Sequence, residues 1–288
     1  TDVSPVRLAV QRLEVALIAQ GVGKAQFVVF ARDFDTAKAA QVVGHELRVE
    51  QPVAACIQPP DEVNQRHRVI VGRTQRQSPA IDATVRALNF FPHWHVPDSV
   101  AHLDLIPRLL EEPDYLAKEK IRVLTSFGGN EVDPNTVDWR SPAARELKFR
   151  QDPGPQNALG LVRIDMPNAE NVYMHDTPMK PLFRQRSRAF SAGCVRVQDV
   201  FQLVDWIARY EPDWAPGRAE AIVAAGEPVD VKLTRPVPVH FVYITAWAER
   251  DGTIEFRPDI YGRDGAVDQV AEMDRDPNDM PPPVTLAP

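Results

Sequence analysis

Apolar and polar residues alternate along much of the chain in short runs, which is a pattern typical of β-strands. One late run is apolar on both alternating faces, and this predicts a strand in the interior of a sheet. Strands are predicted, in chain order, at 26–30, 45–50, 67–72, 83–90, 160–166, 171–175 and 238–248, the last being the interior strand. These segments should form the main sheet or sheets of the protein.

Helical spacing of apolar residues occurs in three segments. A start signal at Ser4–Pro5 and a stop at Gly21 predict an N-terminal helix within residues 1–25. A second helix should begin at a Ser99 cap, and a third should span 199–210. Their apolar faces would comprise Val100, Leu103, Ile106 and Leu110, and Val200, Leu203, Val204, Ile207 and Ala208, respectively. The predicted fold class is therefore mainly β with helices (α+β).

A long polar segment, about 97–156, separates the fourth and fifth predicted strands. Structureless loops of that length are uncommon, so the segment is interpreted as either an inserted subdomain or a long functional flap. One domain with this insertion is expected to span 26–273. Residues 274–288, which lack periodicity, are expected to form an extended or disordered tail.

Composition restricts the class of protein. The chain has 288 residues, of which 44% are hydrophobic, and this is enough to bury a sizeable core. Its net charge of -7 argues against a nucleic-acid-binding domain, which would be basic. No stretch approaches the roughly 18 apolar residues of a membrane span, and no signal segment is recognisable from Thr1 onward. A globular protein without a membrane span is predicted.

The two cysteines lie in different contexts. Cys56 lies in the apolar run "PVAACIQPP" and is interpreted as a small buried side chain. Cys194 follows the small residues 191–193, which permit a tight turn that exposes a side chain and converging backbone N–H groups. A thiol needs a proton acceptor to become a nucleophile, and His175, at the end of a predicted strand, is the candidate. The residues alone leave open a catalytic pair or an inert cysteine beside a surface histidine.

Basic residues cluster around Cys194 and suggest either a site for a carboxylate-bearing ligand or a solvated loop. For Arg196 the ligand site is the favoured interpretation, whereas for the other arginines of the cluster both interpretations stay open. The cluster consists of Arg184, Arg186, Arg188 and Arg196. No second Cys or His lies nearby at metal-ligand spacing, and the pair His93 and His95 lacks a third ligand. Neither a metal nor a cofactor is expected.

The motifs around these residues resemble the active-site signature of the YkuD family of L,D-transpeptidases. The signature is carried by "VYMHDTP", a following "LF", "RAFSAGCVRV" and the next helix. The YcbB-type branch is the most similar, through "VIVGR", "NFFPHWHVPDSVA", "DLIPRLLEEPDYL", "VDW", "PGPQNALG" and "FRPDIYGRD". The resemblance covers about residues 65–264.

This resemblance implies a fold and a set of site residues. The fold would be a β-sandwich-like catalytic domain, with segment 97–156 as a lid over the donor groove. Cys194 would be the nucleophile and His175 the acid–base group. The backbone at Ala192, Gly193 and Cys194 would hold the oxyanion, while Tyr173, Arg196 and Ser191 would contact the substrate.

The implied reaction is cross-linking of peptidoglycan in the periplasm or cell envelope. Cys194 would attack a donor tetrapeptide stem, release D-Ala and form a thioester, which the side-chain amine of a diamino acid in a second stem resolves to a 3-3 cross-link. Carbapenem β-lactams would acylate the same thiol. Alternatives are an L,D-endopeptidase or carboxypeptidase and a lipoprotein-anchoring enzyme. A sortase-like transpeptidase and a non-catalytic cell-wall-binding module fit the residues less well.

Two features depart from the family pattern. Ala192 occupies a position where the family usually has His or Ser, so a side-chain hydrogen bond from that position is absent. The stretch 26–64 is longer than the usual first strands, and the sequence gives it no role.

Overall fold

The computed structural model describes residues 65–248, 254–257 and 259–263, together with two earlier strands, Leu13–Ile18 and Gln26–Arg32. The predicted strand at 45–50, Cys56, most of the stretch 26–64 and the tail 274–288 lie outside these residues. Across the described ranges, no helix has the length and apolar character needed to cross a lipid bilayer.

Strands dominate the described part of the chain. The strands are β1 (Leu13–Ile18), β2 (Gln26–Arg32), β3 (Val69–Gly72), β4 (Ile81–Phe90), β5 (Trp94–His95), β6 (Ile121–Leu124), β7 (Glu131–Val132), β8 (Lys148–Gln151), β9 (Val162–Asp165), β10 (Met174–His175), β11 (Ala189–Ser191), β12 (Val195–Val197), β13 (Val229–Ile244), β14 (Ala246–Ala248) and β15 (Ile254–Phe256). The main sheet has nine described strands in the order β1-β2-β13-β4-β9-β10-β12-β3-β11. This architecture confirms the predicted fold class and is consistent with a β-sandwich-like domain.

Helices are few and short. They are α1 (Asp98–Val100), a π-helical turn (Ala101–Leu105), α2 (Ile106–Glu111), α3 (Tyr115–Lys118), α4 (Val200–Ala208) and α5 (Arg218–Ala225), with 3-10 turns at Pro134–Thr136, Pro142–Glu146 and Lys180–Arg184. Helix α4 buries every residue of its predicted stripe, and Trp206 as well, in the core against the main sheet. Each large apolar side chain buried there contributes about 1.5–3 kcal/mol.

The predicted N-terminal helix is wrong for the residues that the structure describes. Leu13–Ile18 forms strand β1, which pairs antiparallel with β2. The apolar residues Leu13, Val15 and Leu17 alternate with period two, so the same sequence also satisfies a strand pattern. Pairing with β2 supplies the backbone hydrogen bonds that favour the strand. The prediction for β13 is confirmed, because this strand lies between β2 and β4.

The insertion is a folded unit with its own sheet and core. We call residues 94–156 the inserted subdomain. Its four strands pair in the order β5-β8-β6-β7. Its core is formed by Trp94, Val96, Val100, Ala101, Leu105, Ile106, Leu109, Tyr115, Leu116, Ile121, Val123 and Phe149, joined by Ala158 and Leu159 from the following segment. Tyr173 and Ala192 of the main domain pack against this core, so the subdomain is seated beside Cys194.

The predicted buried face of the helix in this subdomain is only partly confirmed, because Val100 and Ile106 are buried and the other two residues are not. The helix begins at Asp98 after Pro97, so Ser99 is not its cap. Leu103 and Leu110, expected on the buried face, are 64% and 44% exposed. The π-helical turn accommodates an extra residue and rotates the positions that follow. Simple 3.6-residue spacing therefore assigns two of the four residues, Leu103 and Leu110, wrongly to the core.

Candidate active site

Two neighbouring strands in the interior of the main sheet bring the predicted catalytic residues together. β10 pairs in parallel with β12, so that Met174 faces Val195 and His175 faces Arg196. Cys194 immediately precedes β12. Because alternate residues of a strand share a face, Cys194 and Arg196 project to the same side. The eighteen residues between His175 and Cys194 therefore return the chain to a single site, as the separation of the two residues suggested.

The turn before Cys194 is held by hydrogen bonds from two serines. Ser191 Oγ donates to the carbonyl of Cys194 (2.6 Å) and accepts from the Gly193 N–H (3.1 Å). Ser78 Oγ donates to the Gly193 carbonyl (2.6 Å). Gly193 has φ 130°, a conformation that glycine adopts without strain. Ser191 is fully buried, so it braces the turn and is not placed to contact a substrate.

Ser78 was not singled out by the sequence. It belongs to a buried network in which the Gly72 N–H donates to Ser78 Oγ (2.9 Å) and the Tyr261 hydroxyl donates to the Gly72 carbonyl (2.5 Å). A Cβ on Gly72 would lie 2.1 Å from the Arg76 carbonyl oxygen, so no larger residue fits. Ser78 thus orients the peptide group that joins Gly193 to Cys194. The motif "VIVGR" belongs to the family resemblance, but nothing in it indicates that the Ser78 side chain bonds to the turn before Cys194.

The Cys194 thiol is buried and protonated at rest. Burial raises its pKa to about 11, and this effect outweighs the opposing influence of Tyr173 and Arg196. Tyr173 contacts the sulfur through both its main chain and its hydroxyl, and both contacts favour the thiolate. A thiol in this state reacts only when its proton is removed during the reaction.

His175 is a neutral base with a defined tautomer. Its Nδ1 is hydrogen-bonded to the carbonyl oxygen of Asp176, which can only accept, so Nδ1 carries the proton and Nε2 carries the lone pair. Burial, aided by the charges of Arg196 and Arg163, lowers the pKa of His175 to about 3, although the backbone at Asp176 and Leu159 acts in the opposite direction. Nε2 is buried and has no hydrogen-bond partner in the part of the chain that the structure describes. His175 Nε2 therefore makes no hydrogen bond to Cys194 in this structure.

Asp176 holds the C-terminal end of β10, the strand that contains His175. Its Oδ2 accepts from the Leu161 N–H (3.0 Å), and its Oδ1 pairs with Lys180. Gly160 has φ 63°, and a Cβ there would lie 2.4 Å from Asp176 Oδ2. The motifs "HDTP" and "NALG" are therefore joined by close packing that only glycine permits.

Tyr173 lies between the nucleophile, the base and the inserted subdomain. Its ring makes an edge contact with the His175 ring (5.8 Å between centroids), and the Arg163 guanidinium lies 5.4 Å from its centroid. Burial, followed by the charge on Cys194, raises the pKa of its hydroxyl, so the hydroxyl remains a hydrogen-bond donor. The sequence predicted that Tyr173 and His175 project to the same face of the sheet, and the contact between their rings agrees with this prediction.

Arg196 is a buried cation that no described carboxylate neutralises. It is 2% exposed, and its Nε has no hydrogen-bond partner among the described residues. Burial lowers its pKa to about 10, which still leaves it charged at neutral pH. Arg196 lines a cavity of about 200 Å³ between the main domain and the inserted subdomain. This arrangement suits an incoming carboxylate.

Other members of the basic cluster lie away from the site. Arg184 and Arg186 are exposed, which agrees with the solvated-loop interpretation. Arg188 is buried and donates to the carbonyl oxygens of Val69 (3.0 Å) and Gln185 (3.1 Å), so its role is structural. Within the described ranges no group of three or more His, Cys, Asp or Glu side chains could hold a metal ion.

Comparisons with known proteins identify the domain. The YkuD family model, an L,D-transpeptidase catalytic domain, matches residues 55–237, which include His175 and Cys194. A Haemophilus influenzae protein named "Putative L,D-transpeptidase" is 34% identical over 210 residues, which are 73% of this chain and 42% of that protein. The chain thus spans less than half of that relative's length. Because the family model covers most of the chain, including the thiol and the imidazole, the chain belongs to the YkuD family of L,D-transpeptidase catalytic domains.

Proposed function

We propose that this chain is a peptidoglycan L,D-transpeptidase of the YcbB-type branch that forms 3-3 cross-links through a thioester on Cys194. One observation carries the proposal. The buried thiol of Cys194 immediately precedes β12, and the neutral imidazole of His175 lies in the neighbouring strand β10. The Nε2 of this imidazole has no hydrogen-bond partner among the described residues. Membership of the YkuD family supports the reaction class.

Acylation begins when Cys194 Sγ attacks the carbonyl carbon of the third residue of a donor tetrapeptide stem. The thiol proton passes to His175 Nε2 as the S–C bond forms, because burial opposes separate charges on either group beforehand. The tetrahedral intermediate then expels the amine of D-Ala, which takes the proton from Nε2. The stem remains bound to Cys194 as a thioester.

Transfer repeats these steps with an amine as nucleophile. The side-chain amine of a diamino acid in a second stem attacks the thioester carbonyl and gives a proton to His175 Nε2. Collapse of the intermediate forms the new amide and releases the Cys194 sulfur, which regains the proton from Nε2. The product is a 3-3 cross-link. Water in place of the amine would give hydrolysis, and a lipoprotein amine would give attachment of that protein.

The oxyanion of both intermediates needs backbone donors near Cys194. The sequence suggested the Gly193 N–H as one of these donors, but this group already donates a hydrogen bond to Ser191 Oγ. The Cys194 N–H belongs to the peptide that Ser78 orients, and we assign it as a donor, with the Ala192 N–H beside it. A donor of this kind is worth about 3 kcal/mol of transition-state stabilisation.

Substrate contacts and location follow from the same proposal. Arg196 would bind a donor carboxylate, Tyr173 would donate to the reacting groups, and the inserted subdomain would cover the groove as a lid. A peptidoglycan substrate implies that the protein works in the cell envelope, in the periplasm. Carbapenems, which present a strained carbonyl to the same thiol, are the expected inhibitors.

Incubation with purified disaccharide tetrapeptides, followed by mass spectrometry, tests the proposal. Cross-linked dimers that have lost one D-Ala would support transpeptidation. Shortened monomers without dimers would instead indicate a hydrolase of the same family. The Cys194→Ala variant should give neither product. If the unmodified chain also left the tetrapeptides unchanged and took up no carbapenem, a non-catalytic wall-binding module would be the better description.

A further inference from the structure

A carboxylate of the inserted subdomain joins this unit to the main domain through two arginines. Asp104, in the π-helical turn, accepts hydrogen bonds from Arg73 (2.8 and 3.1 Å) and from Arg76 (2.6 Å). The Asp104 side chain is only 8% exposed, and both arginines are partly buried. Hydrogen bonds between charged groups are short and directional. Asp104 therefore holds both guanidinium groups at the boundary between the two structural units.

The two arginines belong to the β3–β4 loop, residues 73–80, which folds back on the strand that precedes it. The Arg76 N–H donates to the Arg73 carbonyl (2.9 Å), and this bond closes a tight turn. The turn lies directly against the end of β3, since a Cβ on Gly72 would lie 2.1 Å from the Arg76 carbonyl oxygen. The side chains of this turn thus contact the inserted subdomain, while its backbone stays attached to the main sheet.

The β3–β4 loop also contacts the turn before Cys194, at two points. The Arg73 N–H donates to the Ser191 carbonyl (2.9 Å). Further along the loop, Ser78 Oγ donates to the Gly193 carbonyl (2.6 Å). Because that carbonyl and the Cys194 N–H belong to one planar peptide group, the bond from Ser78 also orients the N–H. The position of the loop therefore determines where the Cys194 N–H points.

We propose that Asp104 is a positioning residue for the oxyanion donor at Cys194. It holds the β3–β4 loop through the two arginines, and the loop in turn holds the peptide group between Gly193 and Cys194. The inference rests on the proposed function, because an oxyanion forms only if Cys194 attacks a carbonyl carbon. The turn before Cys194 is then correctly set only while the inserted subdomain is seated against the main domain.

A simpler role for Asp104 is to attach the inserted subdomain and nothing more. Loss of the carboxylate would then loosen the subdomain and weaken binding of the ligand, without slowing the reaction of a ligand that is already bound. An oxyanion donor acts differently, because the charge that it stabilises exists only after the sulfur has attacked. Its displacement lowers the rate at saturation. The two roles therefore change different kinetic parameters.

Two reagents that react with the same thiol distinguish these roles in Asp104→Asn, which removes the charge and keeps the size of the side chain. A carbapenem forms the S–C bond through an oxyanion on its lactam carbonyl, then breaks the lactam C–N bond, and the thiol proton passes to the released nitrogen. Its maximal acylation rate, followed by intact mass, should fall about 10- to 100-fold, less than for complete loss of an oxyanion donor. Iodoacetamide forms the S–C bond with loss of iodide and a proton, without an oxyanion. Alkylation mapped to Cys194 and the half-saturating carbapenem concentration should both stay within about twofold.

Two further variants control for a general loss of structure. Asp152→Asn is the matched control, because Arg122 Nε donates to both carboxylate oxygens of Asp152 (3.0 and 2.8 Å) within the inserted subdomain. It should leave both reactions unchanged. Arg76→Gln keeps the bond between Arg73 and Asp104, so the subdomain stays attached. It should slow acylation less than Asp104→Asn does, and it replaces that variant if Asp104→Asn does not fold.

The amide signal of Cys194 in a nuclear magnetic resonance spectrum reports the position of the donor without any reaction. The chain has two cysteines, so isotopic labelling of cysteine nitrogen gives two amide signals, and Cys194→Ala identifies the one from Cys194. Asp104→Asn should shift this signal, and Asp152→Asn should not. Ser78→Ala acts on the same peptide group, so adding it to Asp104→Asn should slow acylation little beyond the slower single variant.

The outcomes separate this inference from the proposed function. An unchanged maximal acylation rate in Asp104→Asn would overturn the positioning role, and so would equal losses of acylation and alkylation. Independent effects of Asp104→Asn and Ser78→Ala would also contradict it. If no carbapenem acylated the unmodified chain, but Asp104→Asn still shifted the Cys194 signal, the control of the N–H group would stand and the proposed reaction would be wrong.

Discussion

Replacing His175 should change how the stability of the protein depends on pH. The unfolded chain exposes this imidazole with an ordinary pKa of about 6.5, whereas burial lowers the pKa in the folded state to about 3. Between these values the unfolded state binds a proton that the folded state rejects. Stability is therefore fully retained above about pH 6.5 and is lost as the pH falls towards about 3.

The size of this effect follows from the two pKa values. On going from pH 8 to pH 5, the His175 imidazole of the unfolded chain gains a proton and the folded one does not, and this lowers the free energy of unfolding by about 2 kcal/mol. Burial also lowers the pKa of His67, so His67 contributes to the same loss of stability on acidification. That contribution is common to the variants and cancels when they are compared.

Urea unfolding at pH 8 and pH 5 measures the difference. His175→Asn keeps a donor near the Asp176 carbonyl and removes the titrating ring, so its loss on acidification should be about 2 kcal/mol smaller than that of the unmodified chain. The exposed His93→Asn is the control and should retain the full loss. Equal pH dependence in His175→Asn and the unmodified chain would show that His175 is not held neutral by burial.

Three further predictions concern the turn and the catalytic pair. Carbapenem acylation of Cys194, followed by intact mass, should be nearly constant from pH 5 to pH 9, because the pKa values of about 11 for Cys194 and about 3 for His175 lie outside that range; a sigmoidal rise near pH 7 would contradict this. Ser78→Ala should lower the free energy of unfolding by about 1–3 kcal/mol in urea and slow acylation more than tenfold, without preventing alkylation of the thiol in unfolded protein. Ala192→Ser should change the acylation rate by less than tenfold, about 1.4 kcal/mol of barrier, since the backbone donors are unaffected; a larger gain would reveal a missing side-chain contact.

Local patterns in the sequence were sufficient for the sheet and for the proximity of the two reactive residues. Runs of alternating apolar and polar residues predicted β3, β4, β9 and β13, and the apolar residues predicted on one face of α4 are buried as expected. His175 was predicted at the end of a strand and Cys194 at a turn, and their separation suited two adjacent strands joined by an ordered loop, which agrees with the pairing of β10 and β12. Small residues before Cys194 likewise signal the turn, because few other residues adopt the φ of Gly193.

Features that depend on distant contacts could not be predicted in this way. Ser78 reaches the turn only because Gly72 allows the chain to fold back on itself, and one serine among many carries no such signal. The π-helical turn shifts the buried face of the insertion without a marker in the apolar spacing. Arg196 and the inserted subdomain line one cavity, and a cavity shared by two structural units is a property of their packing.

Arg196 connects the cavity to the chemistry because its charge acts on both reactive groups. It lowers the pKa of His175 and of Cys194. Under the proposed function, a donor carboxylate placed against the guanidinium would offset that charge and raise both pKa values, which makes Nε2 a stronger base and the thiol a weaker acid. Burial keeps the thiol protonated, the form that resists alkylation and oxidation. Under the proposed mechanism, the thiol proton therefore moves to Nε2 only as the bond between the sulfur and the donor carbonyl carbon forms.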